Sequence, residues 1–362
     1  MALDRISLAR FRNHAATRIE GTARFNLLVG ENGAGKTNVL EALSLFAPGR
    51  GLRRAPLAEM AGNGGAGGFA VSALLDGGDG GDPVRLGTGT SAERPGRRVV
   101  QVNGAESSAM VLAEWLAIGW LTPAMDRLFA DSAGARRRYM DRLAVALDPA
   151  HARHATRYEA ALRERNRLLG DSGGADARWF ASIEAQMAEA GAALARGRAL
   201  LVERLESELA QVPAAPFARP MLAYIPGGPL AVEALAGALA EGRARDMAAQ
   251  RTLTGPHRDE LEVCMAGKHL PAAHCSTGEQ KAMLIALTLA HAGLAAAGRP
   301  SLLLLDEVAA HLDPIRRSAL FERLRAGRAQ IWLTGTERAP FAGIGPDLAV
   351  WRITGGTAER EG

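Results

Sequence analysis

The 362-residue chain carries a formal net charge of +4, is 48% hydrophobic and only 5% aromatic, which is ample apolar content for one large or two ordinary domains. Two cysteines, Cys264 and Cys275, supply neither a disulfide framework nor a metal cluster, and the start, MALDRISLARFRNH, lacks the apolar core of a secretion signal. The most apolar stretch, 282–297, is short for a bilayer span and contains His291, so a cytoplasmic protein with no membrane partner is expected.

The net charge permits a nucleic-acid partner without demanding one. Basic residues are almost all arginine, with lysine only at 36, 268 and 281. In so Ala- and Gly-rich a chain, a GC-rich genome explains that bias.

Along the chain, RFNLLVG (24–30) reads as a short apolar strand and NVLEALSLF (38–46) as a helix. FAVSALL, VRLGTGT and RRVVQVNG follow as antiparallel strands, separated by glycine-rich loops at 62–68 and 76–83, the last strand turning at Asn103-Gly104. From about Trp120 the texture becomes helical and alanine-rich, in SAGARRRYMDRLAVAL, ARHATRYEAALRERNRLL and a long run from Ala177. GDSGGAD (170–176) and VPAAPFARP (212–220) interrupt that block. After about Gln250, HRDELEVCMAGKHL reads as a hairpin, CSTGEQKAM opens a helix, and SLLLLDE and QIWLTGT read as buried parallel strands. The expected fold is α/β, with a discontinuous head formed by 1–120 and 250–362 and an α-helical arm lobe over 121–249.

GENGAGKT places Gly30, Glu31, Asn32, Gly33, Ala34, Gly35, Lys36 and Thr37 between a strand and a helix. That is the setting of a phosphate-binding P-loop: backbone N–H groups wrap the phosphates, Lys36 reaches the outer ones and the Thr37 hydroxyl binds Mg²⁺. SLLLLDE ends in two acids, Asp306 to hold the Mg²⁺ and Glu307 to activate the attacking water. Asp313, before Pro314, reads equally as a helix cap. His257, Arg258 and Asp259 could be no more than a turn, and His274 and His311 read as ordinary loop histidines.

Taken together these parts resemble the ATP-binding-cassette superfamily, in the DNA-maintenance branch that includes SMC-type proteins and the RecF family. The closer similarity is to the RecF family and spans nearly the whole chain. It rests on LARFRNH (8–14), TLTGPHRDEL (252–261), CSTGEQK (275–281), LLLLDEVAAHLDPIRRSAL (302–320) and TPAMDRLFADSAGARRRYMD (122–141). The resemblance implies an ABC-ATPase-like P-loop head, ATP and Mg²⁺ as cofactors, and Arg12 and Asn13 near the nucleotide. It also implies that Ser276, Thr277, Gly278, Glu279 and Gln280 form a signature acting in trans on the partner's nucleotide, with Asp313 in the loop after the acidic strand. Thr334 stands where transporters of the superfamily place a phosphate-sensing His, which suggests slow hydrolysis. Ala124, Asp131 and Ala133 depart from the family's usual acid, Gly and Pro, and put the conformation of that loop in question. Cys275 replaces the usual Leu.

Between 135 and 170 nine arginines face four acids, which reads as a solvated helix face or as phosphate contacts. The resemblance favours DNA, with Arg136, Arg137 and Arg138 as candidates. It implies duplex or gap-junction DNA, an ATP-dependent homodimer, and RecR and RecO partners in recombinase loading, replication-linked repair and the SOS response. Alternatives are an SMC-like structural ATPase and the nucleotide-binding subunit of a transporter.

Overall fold

The computed structural model describes residues 3–62, 67–76, 81–170, 176–211, 215–296, 298–309 and 312–361. The loops read at 62–68, 76–83 and 170–176, the break at 212–220, and His311 lie wholly or partly outside the described residues. The chain forms two compact units, 1–125 with 288–362, and 126–287. Residues 250–287, which the sequence reading groups with the head, lie in the second unit.

Two six-stranded sheets build the first unit. One is antiparallel, in the order His14–Glu20, Leu3–Phe11, Ala70–Leu75, Val84–Ser91, Arg94–Val102, Ala105–Ser107. Its strand Ala70–Leu75 buries Val71, Ala73 and Leu75 and turns Ser72 outward, the period of a sheet with one face in the core. The other sheet runs Thr357–Glu361, Leu348–Thr354, Phe25–Val29, Gln330–Gly335, Ser301–Leu305, Ala117–Leu121. All of its pairings are parallel except the hairpin at the Thr357–Glu361 edge. FNLLV, SLLLL, AIGWL and QIWLTG are buried at every position, which is why they read as continuous apolar runs rather than alternating ones. Trp332 and Trp351 stack at 6.0 Å in the core of this unit.

The parallel sheet sets up the chemistry. Ligands bind at the carboxyl ends of parallel strands, and here those ends carry Gly30 after Val29, Asp306 after Leu305, and Thr334. Leu305 pairs with Leu333, so the next residues, Asp306 and Thr334, stand side by side.

The second unit is mainly helical. Ala133–Leu147, Ala150–Leu169, Ala177–Gln211 and Val232–Glu241 accompany a three-stranded sheet of Leu270–Pro271, Glu260–Met265 and Pro220–Ile225. Tyr158, Phe180, Met187, Leu194, Leu235 and Leu239 form its core. Arg165 is completely buried and binds Glu184 at 3.1 Å, Asp246 at 2.7 Å, Thr252 at 2.8 Å and the Leu239 carbonyl at 2.9 Å. A charge so buried persists only with every partner in place.

Candidate functional site

The loop Gly30–Gly35 runs into the helix Lys36–Ser44. Gly35 caps that helix at φ +117°, and a Cβ there would lie 2.8 Å from both the Asn13 amide and the His14 ring. A Cβ on Gly30 would lie 2.3 Å from the Ile353 carbonyl oxygen. The glycines at 30 and 35 thus permit close backbone approach. Lys36, 4% exposed, donates from Nζ to the carbonyls of Gly30 at 2.7 Å and Glu31 at 2.8 Å. Burial pushes its ammonium below the ordinary lysine value, opposed by the negative charges of Glu307 and Asp306.

Four groups converge at the carboxyl ends of the strands. The Thr37 hydroxyl donates to Asp306 Oδ1 at 2.9 Å, and the buried Thr334 hydroxyl donates to the same oxygen at 2.8 Å. Thr334 Oγ1 in turn accepts the Glu307 backbone N–H at 2.9 Å. Glu307 has φ +53°, a left-handed conformation costing about 1–2 kcal/mol for a side-chain-bearing residue. Thr334 holds that conformation in place and so orients both acids. A hydroxyl beside a carboxylate oxygen is a hard donor pair suited to Mg²⁺, which takes one or two protein ligands and completes its shell with water and phosphate.

Arg12 and Asn13 touch the loop and its helix. The Arg12 guanidinium binds both oxygens of fully buried Glu41 at 2.9 and 2.8 Å and donates to the Glu59 carbonyl. Asn13 Nδ2 donates to the Ala34 carbonyl at 2.9 Å, and its Oδ1 accepts from Asn38 at 2.7 Å. Glu41, a residue the sequence reading passed over, is the acid that Arg12 and Arg53 share. A lone acid within the apolar helix NVLEALSLF was the available signal.

The second unit holds the signature segment. Ser276, Thr277 and Gly278 are exposed at the start of the helix Thr277–Ala295. Ser276 Oγ accepts the Glu279 N–H at 3.3 Å, and Glu279 Oε2 accepts the Ser276 N–H at 2.9 Å, a reciprocal capping box. Lys268, 2.6 Å from Glu279, and Ser276 together hold that carboxyl down to about 2. Gln280 is buried and donates to the Cys275 carbonyl at 2.9 Å.

Asp313 caps the helix Pro314–Ala326, accepting the Arg316 N–H at 2.9 Å. Arg136 grips both oxygens of Glu260 at 2.6 and 2.7 Å, and Arg137 donates to the Asp259 carbonyl at 2.8 Å. Only Arg138 of the three is exposed. Ala124 is exposed in a 3₁₀ turn. Asp131 sits at φ −78°, where glycine is not required, and Ser132 caps the helix beginning at Ala133.

GPHRD is more than a turn. Asp259 is buried and accepts from Arg198 at 2.8 Å, Tyr224 at 2.6 Å and the Gly227 N–H at 2.8 Å, while Arg198 also grips Asp141. His257 Nε2 lies 2.9 Å from the Thr252 carbonyl, which only accepts, so Nε2 carries the proton and Nδ1 accepts the Tyr158 hydroxyl's hydrogen bond at 2.8 Å. Burial holds this imidazole below its ordinary value of 6.5. The unfolded chain therefore binds the extra proton first. The contribution to stability is complete above about pH 6.5 and is lost as pH falls from there towards the lower folded value. The urea midpoint is expected to drop between pH 7.5 and 5.5, with a smaller drop in His257→Gln. An equal drop in both proteins would show that His257 is not responsible.

The model of the RecF/RecN/SMC N terminal domain matches residues 2–342. The protein called DNA replication and repair protein RecF in Mesorhizobium japonicum is 49% identical over 358 residues, covering 94% of this chain and 93% of the relative. Its counterpart in Rhizobium leguminosarum bv. trifolii is 44% identical, covering 98% of each chain. A solved structure of the recombination mediator protein RecF with ATP, from the RecFOR pathway, superposes with a TM-score of 0.87 at 22% identity, covering 100% of this chain and 98% of that one. An SMC head domain from Pyrococcus furiosus gives 0.55 at 16% identity, covering 99% and 96%.

Proposed function

We propose, from the premise that this chain belongs to the RecF/RecN/SMC N-terminal domain family and within it to the RecF replication and repair proteins, that it is an ATP-gated DNA-binding protein. The observation that carries the ATP part is the cluster of Lys36, Thr37, Asp306, Glu307 and Thr334 at the carboxyl ends of the parallel strands. In this reading the functional head runs through 1–120 and 250–362, with 121–249 as the arm. ATP with Mg²⁺ occupies the P-loop, held by Thr37 and Asp306 on the metal side. Ser276–Gln280 of a second copy closes over the outer phosphate, with Asp313 at the same interface, and the homodimer is thereby ATP-dependent. Glu307 activates water slowly, because Thr334 orients the acids without a titratable ring of its own. Release of the dimer follows hydrolysis.

The family supports action at duplex or gap-junction DNA in the cytoplasm, with RecO and RecR as partners, in recombinase loading, replication-linked repair and the SOS response. No described helix is long and apolar enough to cross a membrane. Of the alternatives, an SMC-like arm is disfavoured by a longest described helix of 35 residues, and a transporter subunit by Thr334 in place of His.

The test is equilibrium binding to DNA of several sequences, with and without ATP, across a salt series. Binding is expected to be strengthened by ATP, indifferent to sequence and steeply salt-dependent. Arg138→Ala should lower the slope of log K against log salt by about 0.9, the loss of one phosphate contact. An unchanged slope would remove Arg138 from the interface. No DNA binding by the ATP-loaded wild-type protein would sink the function itself.

A further inference from the structure

His14 follows Asn13 in the chain and is fully buried. Its Nε2 lies 3.1 Å from the carbonyl oxygen of Gly35, where the P-loop becomes helix. Its Nδ1 lies 2.8 Å from the carbonyl oxygen of Gly356, in the turn between Leu348–Thr354 and Thr357–Glu361, and 2.9 Å from Thr17 Oγ1. The Thr17 hydroxyl also donates to the Gly356 carbonyl. The Gly356 N–H donates in turn to the Ala34 carbonyl at 3.1 Å, which Asn13 holds from its other side. A neutral imidazole carries one N–H, so with the proton on Nε2 the ring donates to the Gly35 carbonyl while Nδ1 and the Gly356 carbonyl share the Thr17 hydroxyl, and the circuit joins Ala34, Gly356, Thr17, His14 and Gly35.

We propose that His14 is a positioning residue for the P-loop, a strut between the Gly35 peptide and the C-terminal hairpin that aims the loop's amides at the nucleotide phosphates. The proposal rests on the nucleotide reading of Lys36 and its loop. In a trans peptide the C=O and N–H point in opposite directions. A carbonyl of Ala34 or Gly35 held against the hairpins thus turns the following N–H, of Gly35 or Lys36, towards the cradle. The Gly35 oxygen already accepts the first helical N–H groups, from Asn38 at 3.0 Å and Val39 at 3.2 Å. These fix it along the helix axis, and His14 fixes it sideways. Sideways drift is the freedom that would let the amides lose a common focus, and convergent, preoriented donors are what an anion site needs. The ring touches neither Asp306, Glu307 nor Thr334, so its effect falls on binding rather than on the hydrolytic step.

The experiment is steady-state ATP turnover by the full-length protein, with thermal melting of the nucleotide-free form as a control. His14→Leu should raise KM for ATP about tenfold, the loss of one buried hydrogen-bonding tether, with kcat within about twofold of wild type. His14→Gln, which retains an amide donor, should bring KM back to within about threefold. A purely structural role would lower the active fraction, and with it kcat, at unchanged KM. A folded His14→Leu protein with wild-type KM, or with kcat alone reduced, overturns the proposal. Where His14→Leu does not fold, the near-isosteric Thr17→Val decides: KM raised roughly two- to fivefold at constant kcat supports the strut, and an unchanged KM overturns it. A wild-type protein with no saturable ATP turnover instead refutes the nucleotide reading, and is told apart because that result needs no variant.

Discussion

Lys36→Ala is expected to weaken binding of a fluorescent ATP analogue by at least about a hundredfold, close to 3 kcal/mol. Lys36 is buried at the base of the loop, and no other lysine lies within it to neutralise the outer phosphates. Its ammonium is already detached from bulk water and held by two carbonyls, so phosphates meet a charge whose desolvation cost is partly met in the folded state. Glu307→Gln should behave oppositely: affinity retained, turnover reduced by about a hundredfold or more through loss of the base, and the dimer trapped on gel filtration with ATP. The backbone N–H of residue 307 and its bond to Thr334 survive that exchange, which is why binding geometry should persist. Wild-type affinity in Lys36→Ala would show that the loop is not the nucleotide site.

Ser276→Arg is expected to leave monomeric ATP binding intact and to abolish ATP-dependent dimerisation and hydrolysis. Ser276, Thr277 and Gly278 are exposed at a helix N-terminus with no internal task beyond the cap, and a bulky cation there would obstruct an incoming partner. The mixing experiment separates cis from trans. In the trans arrangement a heterodimer of Ser276→Arg with Lys36→Ala would have one site carrying both lesions and one carrying neither, since each site would take Lys36 from one chain and Ser276 from the other. Reappearance of hydrolysis on mixing two inactive proteins supports the trans arrangement. Full dimerisation and turnover by Ser276→Arg alone would end it.

The arginine-rich stretch shows what charge counting misses. Of the nine arginines from 136 to 167, Arg136 and Arg165 are committed to Glu260 and to the Glu184–Asp246 pair, and Arg157, Arg163 and Arg167 face Glu189, Glu159 and Glu164. Glu184, Glu189, Asp246 and Glu260 lie outside that window, so no local tally could subtract them.

What the sequence by itself determined is whatever local chemistry dictates. Glycine spacing before Lys36 specifies a loop that needs Gly33 and Gly35 for positive φ and Gly30 for close backbone approach, and unbroken apolar runs such as SLLLL specify strands covered on both faces. The helices from Ala133 to Gln211 followed from their 3.6-residue period. Tertiary structure alone decided which distant residues meet. Thr334 reaches Asp306 because Leu305 pairs with Leu333, and strand register is set by long-range packing. His14 reaches Gly356 across 342 positions, and the unexpected value of Asp259 as a buried hub depends on Arg198 and Tyr224 arriving from other elements. A hydrogen bond between residues far apart in sequence leaves no periodic trace. Its cost and benefit are realised only when folding removes water from both partners.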